Sequence, residues 1–212
     1  MELVNALAES YAEKYTSPED ELLREIHVYT YTKHADPHML SGPLQGKLLE
    51  LVSRMIRPDR ILEIGTFTGY SALCLAKGLT EKGILHTIEL REEDSRLARG
   101  FFDRSPLGDQ MIIHTGRAAE IIPSLNETWD LVFIDADKPG YIEYFNLVLP
   151  KLRKNGFILA DNVFFHGQVL EDPIKGKNAI AIQSFNEYVH ARKDVETAML
   201  TIRDGLLLIR KL

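Results

Sequence analysis

Short apolar runs alternate with longer, helix-like stretches from residue 60 onward. The runs that predict strands are residues 60–64, 83–90, 110–115, 130–135 and 156–161. The stretches that predict helices between them are residues 70–79, 92–104, 117–125 and 140–152. Because the strand-like runs are apolar on both sides and helices separate them, the pattern predicts a parallel sheet that helices cover on both faces.

The last part of the chain has a different pattern. Its predicted elements are a loop, a helix and two strands, at residues 162–176, 178–191, 194–202 and 205–211. The tight connection Arg203-Asp204-Gly205 joins the two strands, which predicts an antiparallel hairpin. The predicted architecture is therefore α/β and Rossmann-like, with a mostly parallel seven-stranded sheet that ends in a C-terminal antiparallel hairpin.

Helices are also predicted ahead of the sheet. Ser17 and Pro18 are typical of an N-cap and a first helical residue, and acidic residues follow them. A later helix is predicted at 43–57, before a proline stops it. The sequence predicts a single domain, residues 1–212. Within it, helices at 1–57 would cover part of the binding site, and residues 58–212 would form the Rossmann-like core.

Composition and charge narrow the class of protein. The formal net charge is −6 and the pI is about 5.7, whereas nucleic-acid-binding domains are usually basic, so a nucleic-acid partner is not expected. Cys74 is the only cysteine, which excludes an intramolecular disulfide and a thiolate metal cluster and fits a reducing compartment. No signal-peptide core opens the chain, and no apolar window reaches the roughly 18 residues of a membrane span. A cytoplasmic protein without a membrane partner is expected.

A glycine-containing turn, EIGTFTGYS at residues 63–71, follows the first strand. Gly65 and Gly69 have the spacing G-x-x-x-G and not the G-x-G-x-x-G of a dinucleotide site, whose tight turn cradles a pyrophosphate. Glu63 would repel phosphates and suits an ammonium or sulfonium group. The turn therefore predicts a nucleoside cofactor without phosphates, and a purely structural glycine turn is the alternative.

Two later segments agree with a nucleoside site. Glu89 closes the second strand, where an acid in a doubly wound sheet hydrogen-bonds both ribose hydroxyls. Gly116-Arg117-Ala118 follows the third strand, where an adenine edge would lie along the backbone. A solvated acid is the alternative for Glu89 alone, but the order of the three segments favours a nucleoside.

Oxygen-bearing side chains end the fourth and fifth predicted strands. Asp135 ends the fourth strand, and Asp161 and Asn162 end the fifth. If these strands are neighbours, roughly 4.8 Å apart, the three side chains converge above the sheet. Two carboxylates and an amide oxygen suit a hard cation such as Mg²⁺, with room for two adjacent hydroxyls of a catechol. A helix N-cap and an Asx turn are the structural alternatives.

The segment LEIGTFTGYSAL resembles the cofactor loop of the cation-dependent caffeoyl-coenzyme-A and catechol O-methyltransferase family, of bacterial type. The resemblance extends from about Met39 to the end of the chain and includes VFIDADK, LADNV and IRDGLLLIRK. It implies the Rossmann-like fold of an S-adenosylmethionine (SAM) methyltransferase and methyl transfer to one hydroxyl of a vicinal diphenol, a small aromatic diol. It also implies a divalent cation, Mg²⁺ with Mn²⁺ or Ca²⁺ as alternatives, and a homodimer.

The resemblance assigns roles to residues as well. It makes Lys138 the general base, with Asp135 as a second catalytic residue. The residues assigned to the cofactor are Ser41, Glu63, Gly65, Ser71, Glu89, Ala118 and Asp135. The metal set stays Asp135, Asp161 and Asn162. The apolar Phe164 and Phe165 could face an aromatic ring. Related enzymes commonly have a tryptophan near Phe165, so this departure puts the identity of the substrate in question and not the type of reaction.

Three other functions are weighed against this one. The same chemistry on a hydroxylated uridine of transfer RNA is an alternative, and the acidic balance of the chain counts against it. A nucleoside-binding module without catalysis is another, and it would not need Asp135, Lys138, Asp161 and Asn162. A nicotinamide dehydrogenase is disfavoured because the glycine spacing does not suit a pyrophosphate.

Overall fold

The computed structural model of the protein describes residues 3–212, so Met1 and Glu2 of the predicted domain lie outside the described residues. The strands within residues 3–212 are β1 (Arg60–Ile64), β2 (Ile84–Glu89), β3 (Met111–Thr115), β4 (Trp129–Ile134), β5 (Leu152–Asp161), β6 (Val195–Leu200) and β7 (Leu206–Lys211). These seven strands form one sheet in the order β3-β2-β1-β4-β5-β7-β6. The first five strands run parallel, whereas β7 is antiparallel to both β5 and β6. The predicted Rossmann-like architecture and its C-terminal hairpin are confirmed.

Helices cover both faces of the sheet. They are α1 (Ala6–Tyr15), α2 (Glu21–Lys33), α3 (Gly42–Ile56), α4 (Tyr70–Ala76), α5 (Glu92–Phe102), α6 (Ala118–Ser124), α7 (Tyr141–Val148) and α8 (Lys177–His190). One core lies between the sheet and α2 to α5, and a second lies between the sheet and α6 to α8. Within residues 3–212, none of these helices has both the length and the apolar character of a membrane span.

The alternation of side chains along β4 shows why a central strand is apolar throughout. Leu131 and Phe133 pack into the core beneath α2 to α5, whereas Val132 and Ile134 pack into the core beneath α6 to α8. All four side chains are fully buried. Burial of each such side chain contributes about 1.5–3 kcal/mol, so the hydrophobic run itself stabilises both layers.

The start of α2 differs from the prediction. The N-cap is Asp20, whose side chain accepts a hydrogen bond from the backbone N–H of Leu23 at 2.9 Å, and not Ser17. Glu19 precedes the helix, and its carboxylate accepts a hydrogen bond from the hydroxyl of Tyr70 at 2.6 Å. The helix therefore begins three residues later than the Ser-Pro pair predicts, at a local cap made by Asp20.

The helix predicted at 140–152 is wrong in its last third. Helix α7 ends at Val148, a 3₁₀ turn spans Leu149–Lys151, and β5 begins at Leu152. Leu152 pairs with Trp129 of β4 and is buried there. Because a helix or a strand can bury an apolar residue at this position, the periodicity of the sequence did not show where α7 ends and β5 begins.

The sheet order brings the ends of three strands to one level. Strand β1 lies between β2 and β4, so the chain leaves β1 in one direction and continues from β4 in the other. Ligands bind at such a switch point in open α/β sheets. Ile64 pairs with Ile134, and Ile134 pairs with Ala160. The turns that follow β1, β4 and β5 therefore start side by side, as the predicted cation site requires.

Candidate active site

A cavity of about 890 Å³ lies at the carboxyl ends of β1, β2, β4 and β5. Its volume is within the range of roughly 300–1,000 Å³ for small-molecule sites. The segment 38–41, just before α3, forms part of its wall. The predicted site residues that line the cavity are Ser41, Gly65, Ser71, Glu89, Ala118, Asp135, Lys138, Asp161 and Asn162.

The turn after β1 needs glycine at two positions, Gly65 and Gly69. Gly65 has φ +102°, and a Cβ there would lie 1.9 Å from the carbonyl oxygen of Asp135. Gly69 has φ +87°, and its Cβ would lie 2.6 Å from the ring of Phe102. L-residues with side chains rarely adopt these φ values. The glycine at 65 thus lets the turn pack against the end of β4, a reason that the sequence did not reveal.

Glu89 is held by the backbone of two neighbouring turns. Its Oε2 accepts a hydrogen bond from the N–H of Phe67 at 2.7 Å, and its Oε1 accepts one from the N–H of Arg91 at 2.9 Å. A carboxylate has about four acceptor positions, so roughly two are left for a ligand in the cavity. The carboxylate is therefore fixed in place and still able to accept hydrogen bonds.

Glu63 lies behind the cavity wall and is fully buried. Its Oε2 accepts a hydrogen bond from Thr87 at 2.5 Å, while its Oε1 has no hydrogen-bond partner within the described residues. Burial raises the pKa of Glu63 to about 8, and repulsion from Asp135 and Glu89 adds to the shift. The proton on this carboxyl group at neutral pH weakens the predicted attraction to a sulfonium, and direct contact with the cofactor stays a prediction.

The side chain of Lys138 forms the centre of a polar cluster after β4. Its Nζ donates hydrogen bonds to Asp135 Oδ1 at 3.2 Å, to Asn162 Oδ1 at 2.8 Å and to Tyr141 Oη at 2.7 Å. These contacts use all three donors of an ammonium group. The hydroxyl of Tyr141 in turn donates to the carbonyl oxygen of Asp161 at 3.0 Å. The cluster therefore fixes the lysine against both strand ends.

Asp161 is a buried carboxylate with two neutral direct partners. Its Oδ2 accepts a hydrogen bond from Gln45 Nε2 at 2.8 Å, and its Oδ1 accepts one from the N–H of Asn162 at 2.9 Å. Burial raises the pKa of Asp161, and the nearby carboxylate of Asp135 raises it further. The ammonium of Lys138 and the guanidinium of Arg203 oppose this shift, but neither forms a direct hydrogen bond with the carboxylate of Asp161.

The oxygen donors of this cluster fit a hard cation by their chemistry. In the part of the chain that the structure describes, no three carboxylate, imidazole or thiolate groups converge on one point. The donors here are two carboxylates and the amide oxygen of Asn162, a set that Mg²⁺ accepts. The ammonium of Lys138 already contacts Asp135 and Asn162, so a cation would compete with it. Asn162 also has φ +56°, and its backbone N–H donates to Oδ1 of the preceding Asp161. An Asx turn would use the N–H two residues after Asp161, but the N–H of Val163 donates to the carbonyl oxygen of Gly205.

The two phenylalanines of the loop at 162–176 have different surroundings. Phe165 lines the cavity, whereas Phe164 covers the turn at Gly205. The side chain of His166 is 69% exposed, and the backbone N–H of His166 donates to Asp204 Oδ1 at 2.6 Å. Of the two phenylalanines, Phe165 is therefore the one placed to contact an aromatic ring in the cavity.

Three residues of the site were missed by sequence reasoning. Tyr141 lies three residues after Lys138, a helical spacing that could have identified it. Gln45 and Arg203 contact each other across 158 positions of sequence, so local patterns gave no signal for this pair.

Comparisons with known proteins agree with this geometry. A family model described as O-methyltransferase matches residues 12–212. A catechol O-methyltransferase of Niastella koreensis is 36% identical over 168 residues, which cover 77% of this chain and 76% of that protein. A "Probable caffeoyl-CoA O-methyltransferase 2" of Dictyostelium discoideum is 29% identical, with 96% and 90% of the two chains covered.

A solved structure is similar over nearly the whole fold. The O-methyltransferase TomG of Streptomyces achromogenes, in complex with SAM, superposes with a TM-score of 0.89 and 30% identity, covering 97% of this chain and 96% of that one. The family model spans far more than half of the chain, and the cavity lies at the switch point of the same fold. The chain therefore belongs to the O-methyltransferase family, as a SAM-dependent O-methyltransferase of the catechol and caffeoyl-coenzyme-A type.

Proposed function

We propose that the protein methylates one hydroxyl of a vicinal diphenol, such as a catechol or a caffeoyl-type compound, with SAM and a divalent cation. One observation carries the proposal. Asp135, Lys138, Asp161 and Asn162 meet at the ends of β4 and β5, in the same cavity as the glycine turn after β1. A protein that only bound a nucleoside would have no use for this second cluster.

The cofactor end of the cavity is built mainly from turns. Glu89 keeps acceptor capacity for ribose hydroxyls, and Ala118 at the start of α6 leaves room for adenine. SAM, when bound, supplies a methyl group that the adjacent sulfonium makes electrophilic. Other residues that we propose to surround the bound cofactor are Ser41, Glu63, Gly65, Ser71 and Asp135. Of these, Glu63 would act from behind the cavity wall.

The cation end of the cavity is the part around Asp135, Asp161 and Asn162, where carboxylate charge favours a bound cation. We propose that Asp135, Asp161 and Asn162 hold Mg²⁺, with Mn²⁺ or Ca²⁺ as alternatives. Support comes from the buried carboxylate of Asp161, which repels Asp135 and has neutral direct partners. The cation, when bound, supplies positive charge that lowers the pKa of a contacting hydroxyl. Lys138 must then release Asp135 or Asn162, the two proposed cation ligands that its Nζ contacts.

Lys138 is the proposed general base. Its Nζ receives the hydroxyl proton, which requires a free lone pair on the amine before transfer. Tyr141 and Asp135 hold the amine in place, at 2.7 Å and 3.2 Å from Nζ. Asp135 then stabilises the ammonium that forms. Catalysis by these residues is mainly positioning of the acceptor oxygen and of the base.

The wall beside the cluster suits an aromatic ring. Phe165 and Met39 line the cavity and offer apolar surface. Aromatic rings bury a large apolar area against such side chains, and their hydroxyls keep a polar edge for hydrogen bonds. A small aromatic diol matches this combination of an apolar wall and clustered oxygen ligands.

We also propose one domain in which residues 1–57 cover the site, and a cytoplasmic homodimer. The segment 38–41 supports the covering role because it lines the cavity. Helix α1 exposes Leu7, Tyr11 and Tyr15, at 81%, 66% and 67% of their surface, which a second copy could cover. Light scattering coupled to size exclusion would give twice the chain mass for the dimer, and the mass of one chain would contradict it.

The reaction is tested by methyl transfer from SAM to catechol and caffeate, first with Mg²⁺ and then with excess EDTA. We expect a methylated diphenol whose formation stops with EDTA. Turnover that the chelator leaves unchanged would contradict the role of the cation. A protein that binds SAM and methylates no diphenol would favour the hydroxylated uridine of transfer RNA or a module without catalysis.

A further inference from the structure

Gln45 is a buried polar side chain that the proposed reaction does not use directly. It lies in the first turn of α3 and is 1% exposed. Its Nε2 donates to Asp161 Oδ2 at 2.8 Å, and its Oε1 accepts from a guanidinium nitrogen of Arg203 at 3.2 Å. Both ends of the amide are therefore occupied by partners from distant parts of the chain.

The orientation of this amide is determined by its partners. A guanidinium can only donate hydrogen bonds, and an ionised carboxylate can only accept them. Arg203 must therefore face the amide oxygen of Gln45, and Asp161 must face the amide nitrogen. The three groups form a chain with one direction, in which the positive guanidinium polarises the amide toward the carboxylate.

Arg203 is itself held in place from a second side. Its other terminal nitrogen donates to the carbonyl oxygen of Leu40 at 2.9 Å. Its backbone has φ +47°, a left-handed conformation that residues with side chains rarely adopt. The turn between β6 and β7 thus presents the guanidinium in a fixed position beside α3.

We propose that Gln45 and Arg203 form a positioning relay that orients the carboxylate of Asp161 for the cation. The inference rests on the proposed function, because it presumes that Asp161 is a metal ligand. A hydrogen bond from Gln45 to Oδ2 and one from the Asn162 N–H to Oδ1 fix both oxygens, so the remaining acceptor positions keep one direction. Partners that orient metal ligands in this way typically change metal affinity by about 10- to 100-fold when they are removed.

The test measures binding of Mn²⁺ alone to the full-length protein by electron paramagnetic resonance. The variants are Gln45→Leu, Arg203→Met and the double variant, each checked for folding by its thermal melt. Gln110→Leu is the matched control, because Gln110 donates to the carbonyl oxygens of Thr80 and Gly83, outside the cavity. SAM affinity is measured in parallel.

We expect Gln45→Leu to weaken Mn²⁺ about 10- to 100-fold and Arg203→Met to weaken it less. The double variant should lose less than the product of the two single losses, because Arg203 acts through Gln45. SAM affinity and the Gln110→Leu control should stay within a few-fold of wild type. Wild-type Mn²⁺ affinity in folded Gln45→Leu, or fully multiplicative losses, would overturn the relay. No Mn²⁺ binding by the wild-type protein would instead overturn the metal role in the proposed function.

Discussion

The two ends of the cavity are built in different ways. At the cofactor end, the key carboxylate of Glu89 is held by backbone N–H groups of Phe67 and Arg91. At the cation end, Asp161 and Lys138 are held mostly by other side chains. Backbone partners come with the turn and cannot be removed by single substitutions, whereas side-chain partners can. The cofactor end should therefore tolerate mutation of neighbouring side chains better than the cation end.

The ends also differ in charge balance. The two oxygens of Glu89 accept hydrogen bonds without a second buried carboxylate in direct contact. Burial and the nearby carboxylate of Asp135 raise the pKa of Asp161, and Lys138 hydrogen-bonds to Asp135 and Asn162 at the two strand ends. The proposed cation would add positive charge beside Asp135 and Asp161, whereas the contacts of Glu89 call for no such charge.

Replacement of Lys138 by methionine should have the largest effect and should separate the two ends. We expect kcat to fall by about 10²- to 10⁴-fold, the usual contribution of a general base. SAM affinity should not change, and Mn²⁺ should bind at least as tightly because the competing ammonium is gone. Lys151→Met is the matched control, since Lys151 also makes three hydrogen bonds, to backbone carbonyls outside the cavity. A loss of activity of less than a few-fold in Lys138→Met would contradict its role.

Replacement of Glu89 by alanine tests the opposite end. We expect SAM affinity to fall about 10- to 100-fold, because hydrogen bonds to a charged group are worth roughly 1.5–3 kcal/mol. Mn²⁺ affinity should stay within a few-fold of wild type. Isothermal titration calorimetry with each ligand measures both affinities. Equal SAM affinity in the variant and the wild type would contradict a role for Glu89 in binding the cofactor.

The buried carboxyl group of Glu63 gives a pH-dependent test. Its pKa rises from 4.5 in an exposed carboxyl to about 8 in the folded protein, so the native state keeps a proton that the unfolded chain releases. The free energy of unfolding should therefore fall as pH rises from about 4.5 through 8, by on the order of 2–4 kcal/mol. Glu63→Gln should remove this part of the slope in urea denaturation at pH 5.5 and pH 8. Identical slopes in both proteins would contradict the burial of an ionisable group here.

Replacement of Tyr141 by phenylalanine should have the smallest effect. Loss of one hydrogen bond to the amine of Lys138 should lower kcat by about 3- to 10-fold, with KM for the diphenol and SAM affinity unchanged. Tyr188→Phe is the control, because its hydroxyl bonds to Asn146 on a neighbouring helix. A change in KM alone would show that Tyr141 shapes the acceptor pocket and does not position the base.

Residues next to strand ends were the most predictable from sequence. Gly65, Glu89, Asp135 and Asp161 each follow or close an apolar run, and the parallel order of the strands brings these positions to one side of the sheet. A strand end and a turn are local features, so the residue pattern contains them. The same reasoning gave the hairpin around Arg203 but not the direction of its side chain.

The contacts that cross the fold were not predictable. Gln45 lies on a helix and is far from Asp161 in sequence, so nothing in the helical pattern distinguished it from a surface glutamine. The N-cap at Asp20 was missed for another reason, because Ser17 and Asp20 are both typical cap residues and the local pattern favoured the serine before proline. Local preferences place elements, but tertiary partners decide which polar side chains complete the site.

The most direct measurement of the proposed chemistry is the rate of methyl transfer to catechol against Mg²⁺ concentration, at saturating SAM, for wild type and Asp161→Ala. We expect a wild-type rate that saturates with Mg²⁺ and a variant rate lower by on the order of 100-fold or more, while SAM affinity stays within a few-fold. Full, chelator-insensitive activity in Asp161→Ala would contradict a cation-dependent mechanism at this site.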